Sequence, residues 1–348
     1  MPHLVRFVSE RRAEVAEVDQ PPVGPGEVGI RTLYSGISAG TELTTYRGSN
    51  PYLNSRWDPE QRLFVPGDTS WAYPVDGPGY EEVGVITEVG AGVDDAAIGR
   101  HVWGAWGHRS HAVRPAEYAL ARTLPSGGDP LPGVFAKIGA IALNAILDAD
   151  IHVGETVVVF GAGVPGQIVA QLARLNGGRV IVVDLLAARR ELAEELGAWR
   201  TLDPSQDRVA EVVRALTGNR GADVVIEMSG SYHALHEAVR CAAYSSRVVV
   251  GGFFQGAATP VRLGEEFHHN RVSVIGSQIS GVAPALQHRW DELRMSATAL
   301  DLERRGQLRL TDLITHRVPA ADAPEAFAML DTQPEAALQV VLDYREGE

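Results

Sequence analysis

The segment Val157–Gly166, VVVFGAGVPG, combines an apolar strand with a glycine-rich turn and the first turn of a helix. Gly161 lets the chain turn tightly out of the strand, and Gly163 lets backbone N–H groups approach a pyrophosphate closely. Gly166 lets the helix pack against the sheet, and Pro165 is tolerated because a residue in the first helical turn needs no N–H. The segment therefore predicts a dinucleotide site at a helix N-terminus, where the helix dipole favours phosphate.

A carboxylate ends the next predicted strand, Val180–Asp184, VIVVD. Asp184 lies where a carboxylate accepts hydrogen bonds from both hydroxyls of an adenosine ribose, and it would repel the 2′-phosphate of NADP. Arg189 and Arg190 follow closely and could pair with that phosphate instead. On the charge of Asp184 we expect NAD as the cofactor, with NADP less favoured.

Strands and helices alternate from about residue 151 to residue 280. The strands are short and almost wholly apolar, as in parallel sheets that helices cover on both faces. The predicted strands are Val157–Phe160, Val180–Asp184, Asp223–Glu227, Arg247–Val250 and Val272–Ile275, and the predicted helices include Gln167–Leu175, Ala188–Leu196 and Arg208–Leu216. This order predicts an α/β fold, a doubly wound parallel sheet of the Rossmann type, over residues 149–280.

The first part of the chain is rich in strand-like segments that Gly and Pro separate, among them Glu27–Tyr34, Gly84–Gly90 and Tyr118–Ala121. After the Rossmann-type region come a helical segment, Asp291–Arg305, and a strand-like segment, Ala337–Leu342. Because this tail cannot easily extend the parallel sheet, we expect it to return to the first domain. The sequence thus predicts a mostly-β domain from residues 1–148 and 281–348.

Composition limits the classes of function. The chain has 348 residues, of which 45% are hydrophobic and 22% charged, as in ordinary globular proteins. A formal net charge of −13 argues against general affinity for nucleic acid or anionic membrane, and favours a small-molecule substrate. We find no leader-like N-terminus and no run of about twenty apolar residues, so a cytoplasmic protein is expected. The single cysteine, Cys241, permits no intrachain disulfide and is expected to be buried.

Further segments resemble the medium-chain dehydrogenase/reductase superfamily. Gly79–Gly90 and Ile98–Val102 are similar to the family's segment around its metal-site histidine. Ile314–Pro319 and Ala323–Phe327 look like its C-terminal signature. The resemblance spans essentially the whole chain and is to the alcohol, polyol and threonine dehydrogenases. It implies a GroES-like, barrel-like catalytic domain and a homo-oligomer, a dimer or a tetramer.

The same resemblance implies zinc sites, and the chain departs from them. Ser38 stands where the family has its first cysteine ligand, Tyr80 where it has a histidine, and the last ligand falls near Ala140. A hydroxyl, a phenol and a methyl group do not hold Zn²⁺, which needs thiolate, imidazole or carboxylate. The four-cysteine structural lobe is also replaced by the direct sequence Trp106–His111. We therefore expect no catalytic and no structural zinc.

Without zinc, side chains must stabilise charge on a reacting oxygen and move a proton. Tyr80 is the first candidate, because a phenol can exchange a proton if the nicotinamide charge lowers its pKa; alternatively it only fills the volume of the metal. His108 is the second candidate, since it follows Trp106 at a place that resembles the family's substrate-pocket wall; alternatively it is a structural histidine. Thr41 and Ser38 are expected to relay a proton or anchor a substrate hydroxyl, unless they bond their own backbone in a turn.

Other candidates come from the linking helix and from the strand ends. Asn144, near the start of the linking helix, is expected to contact substrate or the nicotinamide ribose, and Trp106 to contact substrate. Ligands bind open α/β sheets at the carboxyl ends of the strands, which adds Ser229, Gly251 and Phe253. The predicted cofactor contacts are Gly161, Gly163, Val164, Pro165, Gly166, Asp184, Arg189, Ser229, Gly251 and Phe253.

Three functions fit these residues. The leading hypothesis is a zinc-independent, NAD-dependent dehydrogenase of a secondary alcohol or its ketone, with a polyol, cyclitol or sugar-like substrate. An alternative is reduction of an activated carbon–carbon double bond, as in an enone or quinone, which needs no metal to stabilise an alkoxide. A third is nucleotide binding without redox turnover.

Overall fold

The first part of the chain folds mainly into strands, as its turn-rich sequence predicts. The structure is a computed structural model that describes residues 1–345. Short helices interrupt the strands. In chain order the elements are β1 (His3–Ser9), β2 (Arg12–Glu17), β3 (Glu27–Ile37), α1 (Ala39–Tyr46), α2 (Pro51–Asn54), β4 (Arg56–Asp58), β5 (Leu63–Val65), β6 (Val75–Asp76), β7 (Glu82–Val89), β8 (His101–Gly104), β9 (His111–Pro115) and α3 (Ala116–Leu120).

Helices and strands alternate in the middle of the chain. The elements are α4 (Ala136–Ala149), β10 (Thr156–Phe160), α5 (Val164–Leu175), β11 (Arg179–Val183), α6 (Ala187–Glu195), β12 (Arg200–Leu202), α7 (Val209–Leu216), β13 (Ala222–Glu227), α8 (Tyr232–Cys241), β14 (Ala242–Val250), β15 (Ser273–Gly276) and α9 (Glu292–Arg304). The chain ends with β16 (Ile314–Pro319), α10 (Ala323–Thr332) and β17 (Gln339–Asp343).

The middle strands form one parallel sheet in the order β12-β11-β10-β13-β14-β15. The order reverses at β10, so the loops that follow β10 and β13 lie on either side of the topological switch point. Val157, Val158 and Val159 of β10 are fully buried, which is why this strand is apolar on both faces. The predicted Rossmann-type sheet is therefore confirmed, with one strand, β12, that is too short to leave a pattern in the sequence.

A second sheet is built around β3 in the mostly-β part of the chain. β3 pairs antiparallel with β7, with β9 and with β17, and β16 pairs with β17. The tail thus returns to the first domain, as expected. The strand predicted at Tyr118–Ala121 is wrong: Ala116–Leu120 is a helix, and its Ala, Glu and Leu residues are good helix formers.

The chain divides into two units whose limits differ from the predicted ones. The β-rich unit is Met1–Lys137 with Ile314–Glu348, and the Rossmann unit is Ile138–Leu313. The predicted boundaries at residues 148 and 281 are corrected because α4 and α9 pack on each other within the Rossmann unit. A Cβ on Gly139 of α4 would lie 2.6 Å from the Cβ of Ala299 of α9.

The helix that links the two parts is more apolar than the sequence analysis allowed. Leu131–Ala149 is long and apolar enough to cross a membrane by length and composition alone, contrary to the expectation that no such segment exists. Of its 18-residue window, 67% is buried inside the structure. Ala140, Ala142 and Ala145 are fully buried, so the apolar character is that of a core helix.

Cys241 ends α8 and is buried, as expected. Burial raises the pKa of its thiol well above the ordinary value. A thiol of this kind stays protonated and packs as a small apolar residue.

Candidate active site

The glycine-rich loop after β10 has the geometry that its sequence predicts. Gly161 has a φ of +88°, in the left-handed region that favours glycine. A Cβ on Gly166 would lie 1.8 Å from the carbonyl oxygen of Gly161, so no other residue fits there. A Cβ on Gly163 would meet only Pro165 Cδ, at 4.0 Å. The face of Gly163 is therefore open, as a backbone that must approach a pyrophosphate requires.

Asp184 joins this loop to the end of β11. One carboxylate oxygen accepts the N–H of Ala162 at 2.6 Å, and the other accepts the N–H of Leu186 at 2.8 Å. Each oxygen of a carboxylate has about two acceptor positions, so Asp184 keeps one per oxygen for the ribose hydroxyls. The loop and Asp184 together fit an NAD-type cofactor, with Val164 and Pro165 in the first turn of α5.

The arginines after Asp184 have partners of their own. Arg190 donates to the backbone oxygen of Asp184 at 2.7 Å and forms an ion pair with Asp203 at 3.0 Å. The backbone oxygen of Arg189 accepts from the side chain of Gln167 at 2.8 Å. The side chain of Arg190 is thus turned to α6 and the segment after β12.

The other predicted strand-end residues meet this loop. A Cβ on Gly161 would lie 2.8 Å from the Cβ of Ser229, which follows β13. A Cβ on Gly230 would lie 2.8 Å from the backbone oxygen of Phe253, which follows β14. Gly251 precedes Phe253, whose side chain is 39% exposed. Residues from three strand ends thus lie side by side at one edge of the sheet, as the rule for open α/β sheets predicts.

Glu227 is a site residue that the sequence analysis missed. It ends β13 and is fully buried, and its carboxylate accepts the N–H of Ser229 at 2.8 Å and that of Gly230 at 3.2 Å. Burial raises the pKa of this carboxyl against the opposing effect of its hydrogen bonds. Glu227 fixes the loop after β13. A charged residue at the end of an apolar strand is the signal that could have revealed it.

Asn144 lies in the second half of α4, not near its start. It is 1% exposed, and its amide nitrogen contacts Ser277 Oγ at 3.3 Å. Its side-chain oxygen is buried without a hydrogen-bond partner in the described residues. Ser277 follows β15 and bonds back to the end of β14 through Val250. An unpartnered buried amide oxygen beside these strand ends is a place where a ligand donor would be accepted.

The β-rich unit brings three of the predicted residues together. Ser38 precedes α1, and Thr41 lies in the first turn of that helix. The hydroxyl of Tyr80 forms a hydrogen bond with Ser38 Oγ and lies 3.4 Å from Thr41 Oγ1. The three hydroxyl groups of Ser38, Thr41 and Tyr80, which we call the hydroxyl cluster, form a connected polar site.

The protein raises the pKa of Tyr80, where the sequence hypothesis required a lowered one. Burial is the main cause, and the charge of Glu81 adds to it against the hydrogen bonds from Ser38 and Thr41. Burial, followed by the charges of Glu42 and Glu82, also raises the pKa of Glu81. The phenol of Tyr80 is therefore a proton donor at neutral pH, not a base.

His108 lies behind the hydroxyl cluster. It is fully buried, and its Nε2 donates to Glu42 at 2.6 Å while its Nδ1 bonds Ser35 Oγ at 2.5 Å. Glu42 in turn accepts the backbone N–H of Ser38 at 2.8 Å. Because His108 has no surface on which a substrate could lie, the structure contradicts its predicted role in direct catalysis. It holds Glu42, which holds the turn that carries Ser38.

Trp106 is also placed differently from the prediction. It is 3% exposed and packs in the apolar core of the β-rich unit. Its indole N–H donates to Thr32 Oγ1 at 2.9 Å, and its backbone N–H donates to Glu82 at 2.6 Å. The expectation that Trp106 contacts substrate is therefore wrong, since its side chain is buried among apolar residues of the core.

A cavity of about 580 Å³ opens elsewhere on the Rossmann unit, near the amino ends of the strands. Arg214, Arg220 and Arg247 line it, and each is already engaged: Arg214 with the backbone oxygen of Ala242, Arg220 with Asp223, and Arg247 with the backbone oxygen of Ala149. It lies at the edge of the sheet away from the glycine-rich loop and belongs to a different surface from the cofactor site.

The loop, Asp184 and the strand-end residues define an NAD(P)-dependent dehydrogenase. Comparison with known proteins agrees. The family model described as zinc-binding dehydrogenase matches residues 163–297. The chain is 32% identical to D-guloside 3-dehydrogenase of Escherichia coli (strain K12), over 95% of this chain and 96% of that one. It is 28% identical to L-threonine 3-dehydrogenase of Pyrococcus horikoshii, over 91% and 92%.

The solved structures agree on the fold. That of 2R,3R-butanediol dehydrogenase from Bacillus subtilis matches with a TM-score of 0.78 at 21% identity, over 99% of both chains. The chain belongs to the medium-chain dehydrogenase/reductase superfamily, among the zinc-binding dehydrogenases and their relatives. It is an NAD(P)-dependent dehydrogenase of the alcohol and polyol type.

Proposed function

We propose that this protein is a zinc-independent, NAD-preferring dehydrogenase that interconverts a secondary alcohol and its ketone in a sugar-like substrate. The observation that carries the proposal is the hydroxyl cluster. Ser38 and Tyr80 stand at positions where the resemblance places zinc ligands, and their hydroxyl groups bond each other.

The donor chemistry supports the absence of zinc from the reaction. Zinc sites in proteins are built from thiolate, imidazole and carboxylate. Within residues 1–345, no three His, Cys, Asp or Glu side chains converge on a point that could hold a metal ion. The imidazole of His108 lies behind the hydroxyl cluster, and both of its ring nitrogens form hydrogen bonds, one with Glu42 and one with Ser35. The residues present do not fit the catalytic zinc of the family.

The hydroxyl cluster can replace the metal in handling the reacting oxygen. A bound nicotinamide supplies or accepts the hydride. In ketone reduction, the neutral phenol of Tyr80 donates a hydrogen bond to the carbonyl oxygen and then its proton. The phenolate regains a proton through Ser38, which takes one from water as it passes its own on. In alcohol oxidation the same path must carry a proton outward. The raised pKa of Tyr80 makes that direction slow at neutral pH and faster as the pH rises.

The preference for NAD rests on Asp184. Its carboxylate is held in place by two backbone N–H groups and keeps acceptor positions for the ribose hydroxyls. A 2′-phosphate at that place would meet a negative charge, and Arg190 is committed to Asp203.

A sugar-like substrate follows from the polar character of the hydroxyl cluster and from the relative named D-guloside 3-dehydrogenase. A secondary hydroxyl of a pyranose ring presents neighbouring hydroxyls that Ser38 and Thr41 can bind. We further propose a homo-oligomeric, cytoplasmic enzyme, the oligomer being what the family resemblance implies. The net charge of −13 supports the proposal that it has no nucleic-acid or anionic-membrane partner.

Metal analysis combined with a substrate panel tests the proposal. The purified protein is dialysed against a strong chelator, its metal content is measured, and NADH turnover is followed with ketoses, cyclic ketones and enones. We expect full activity with less than about one metal ion per ten chains, whereas a zinc-dependent alcohol dehydrogenase treated in parallel should lose activity. Activity that disappears with the metal and returns with Zn²⁺ contradicts zinc independence. Turnover of enones alone favours the double-bond reductase, and tight NAD binding without turnover favours a nucleotide-binding role.

A further inference from the structure

An exposed group of aromatic side chains lies in the segment between α1 and Tyr80. Tyr52 is in α2, Trp57 in β4 and Phe64 in β5, and Trp71 follows. We call these four side chains the aromatic hairpin. Phe64 is 43% exposed and Trp71 is 41% exposed, and Leu63 beside them is 56% exposed. Exposed large apolar side chains that lie together, rather than singly, mark binding surfaces.

The rings pack against one another. Tyr52 stacks on Trp71 with centroids 4.8 Å apart, and Phe64 lies edge-on to Tyr52 at 5.4 Å. Backbone bonds fix the frame: Trp71 N–H donates to Tyr52 O at 2.9 Å, and Trp57 N–H donates to the side chain of Ser70 at 2.9 Å. A surface whose side chains are ordered before binding loses little conformational entropy when a ligand binds.

The aromatic hairpin is tied to the hydroxyl cluster through α1. Asn50, which caps α2, donates to Thr44 Oγ1 at 2.7 Å. Thr44 donates to the backbone oxygen of Thr41 at 2.7 Å, and Thr41 Oγ1 lies 3.4 Å from the hydroxyl of Tyr80. One end of the aromatic segment is thus only a few hydrogen bonds from the group that handles the reacting oxygen.

An ion pair stabilises the hairpin that carries two of the rings. Arg56 and Asp58, on either side of Trp57 in β4, form this pair at 3.3 Å, and Asp58 accepts the N–H groups of Glu60 and Gln61 at the tip of the hairpin. Flat ring faces that are partly exposed match the C–H face of a pyranose ring, which is the kind of ring that the proposed function gives the substrate.

We propose that the aromatic hairpin is a binding subsite for a saccharide ring linked to the sugar that reacts at the hydroxyl cluster. The substrate is then an oligosaccharide or a glycoside with a sugar aglycone, and Trp71 and Phe64 supply the stacking faces. This inference rests on the proposed function and extends it to the substrate beyond the reacting ring.

Kinetics with one-ring and two-ring sugars test the inference. The probes are methyl α-D-gulopyranoside and a disaccharide that carries D-gulose at its non-reducing end. Trp71→Ala and Phe64→Ala should each raise KM for the disaccharide about tenfold, with kcat changed less than about twofold, because they remove binding distant from the reacting atoms. Neither substitution should change KM or kcat for methyl α-D-gulopyranoside. Trp71→Tyr should restore the disaccharide KM, since it keeps a stacking ring.

Trp199→Ala is the matched control, because Trp199 is a comparably exposed tryptophan, at 45%, in the Rossmann unit. It should leave both sugars unaffected. Equal changes for the two sugars, or no change, overturn the inference while the proposed function stands. A change of oligomeric state without a change in the disaccharide KM assigns the surface to a second copy of the chain and also overturns it.

Direct binding separates a failed subsite from a failed function. If no sugar is turned over, the proposed function fails, and fluorescence titration of the protein with cellobiose then decides. Saturable binding that Trp71→Ala weakens about tenfold and Trp199→Ala leaves intact supports the subsite. No saturable binding of cellobiose to the unmodified protein overturns it.

Discussion

The buried pair of Glu42 and His108 gives a quantitative test of how the site is held, through the substitution Glu42→Gln. Each carboxylate oxygen of Glu42 accepts one hydrogen bond, from Ser38 N–H at 2.8 Å and from His108 Nε2 at 2.6 Å. A glutamine offers one oxygen and a donating NH₂ group, so it accepts from Ser38 N–H but faces His108 Nε2 with a donor, which only the neutral imidazole can accept. At a pH where His108 is protonated, the substitution removes a hydrogen bond between charged groups, which is worth about 1.5–3 kcal/mol, so we expect a loss of about 2–3 kcal/mol in unfolding free energy.

The same substitution should reduce a pH dependence of stability. Burial by itself lowers the pKa of His108, but the charge and hydrogen bond of Glu42, with the charge of Glu82, outweigh it and raise the pKa. Stability from a histidine with a raised folded-state pKa is fully present below the unfolded value of about 6.5 and is lost as the pH rises through the folded-state pKa. The unmodified protein should lose thermal stability above that unfolded value, and the variant should lose less.

Differential scanning calorimetry from about pH 6 to about pH 9 measures both effects. At the acidic end we expect Glu42→Gln to lower Tm by about 3–4 °C, since the entropy of unfolding of 348 residues is about 0.7 kcal/mol/K. Glu81 and Glu82 also have raised pKa values, mainly through burial, and their contribution to stability likewise falls as the pH rises. Because the charge of Glu42 is a further cause of both shifts, the substitution weakens these contributions together with that of His108. The difference between the two pH profiles therefore reports His108, Glu81 and Glu82 together.

Glu17→Gln is the control, because Glu17 is an exposed glutamate of the same unit. It should leave Tm and its pH profile unchanged. If Glu42→Gln gives the Tm of the unmodified protein at every pH, then Glu42 and His108 do not form a buried charged pair, and the account of the turn at Ser38 is refuted.

The remaining predictions concern the cofactor and the phenol. Asp184→Ala should lower kcat/KM for NAD about tenfold and narrow the ratio of NAD to NADP activity; an unchanged ratio would contradict the ribose assignment. Tyr80→Phe should lower kcat for ketone reduction about a hundredfold with cofactor affinity unchanged, while Tyr46→Phe, at a buried hydroxyl that bonds only backbone, should match the unmodified enzyme. Gly166→Ala should abolish NADH binding in fluorescence titration, since its Cβ would lie 1.8 Å from a carbonyl oxygen, and Gly281→Ala, where a Cβ meets nothing within 4 Å, should not.

The cofactor site of the Rossmann unit could be predicted from the sequence because its determinants are local. The roles of Gly161 and Gly166 follow from backbone conformation and close approach within a few residues, and the apolar strands of a parallel sheet are continuous runs. Even Ser229 and Phe253, far apart in sequence, were predictable, since every parallel strand brings its carboxyl end to the same edge. Glu227 was not predicted because it stabilises the loop after β13 through hydrogen bonds and belongs to no sequence motif.

The candidate residues of the β-rich unit could not be predicted as well, because burial depends on tertiary contacts. His108 was expected to face substrate on account of its neighbours in sequence, but its partners Glu42 and Ser35 lie 66 and 73 residues away. The prediction for Trp106 failed for the same reason, because its indole N–H donates to the distant residue Thr32. No local pattern tells a tryptophan or histidine at a pocket wall from one directly behind it. The limits of the two units differ from the predicted ones for a similar cause, since contacts between distant residues, such as that of Gly139 with Ala299, place α4 and α9 in one unit.

The direction of the pKa shift at Tyr80 links these findings to mechanism. A metal would stabilise an alkoxide in both directions of the reaction, because its charge is fixed. A phenol whose pKa is raised by burial and by Glu81 stabilises the alkoxide only by giving up a proton, which favours ketone reduction. Oxidation releases one proton overall, so the ratio of oxidation to reduction rates rises with pH in any such enzyme, and the informative quantity is kcat for one direction alone. If the hydroxyl cluster handles the oxygen, kcat for alcohol oxidation should rise with pH in the unmodified enzyme as the phenol ionises. This rise should disappear in Tyr80→Phe, whereas a site with a metal ion at the reacting oxygen would keep it.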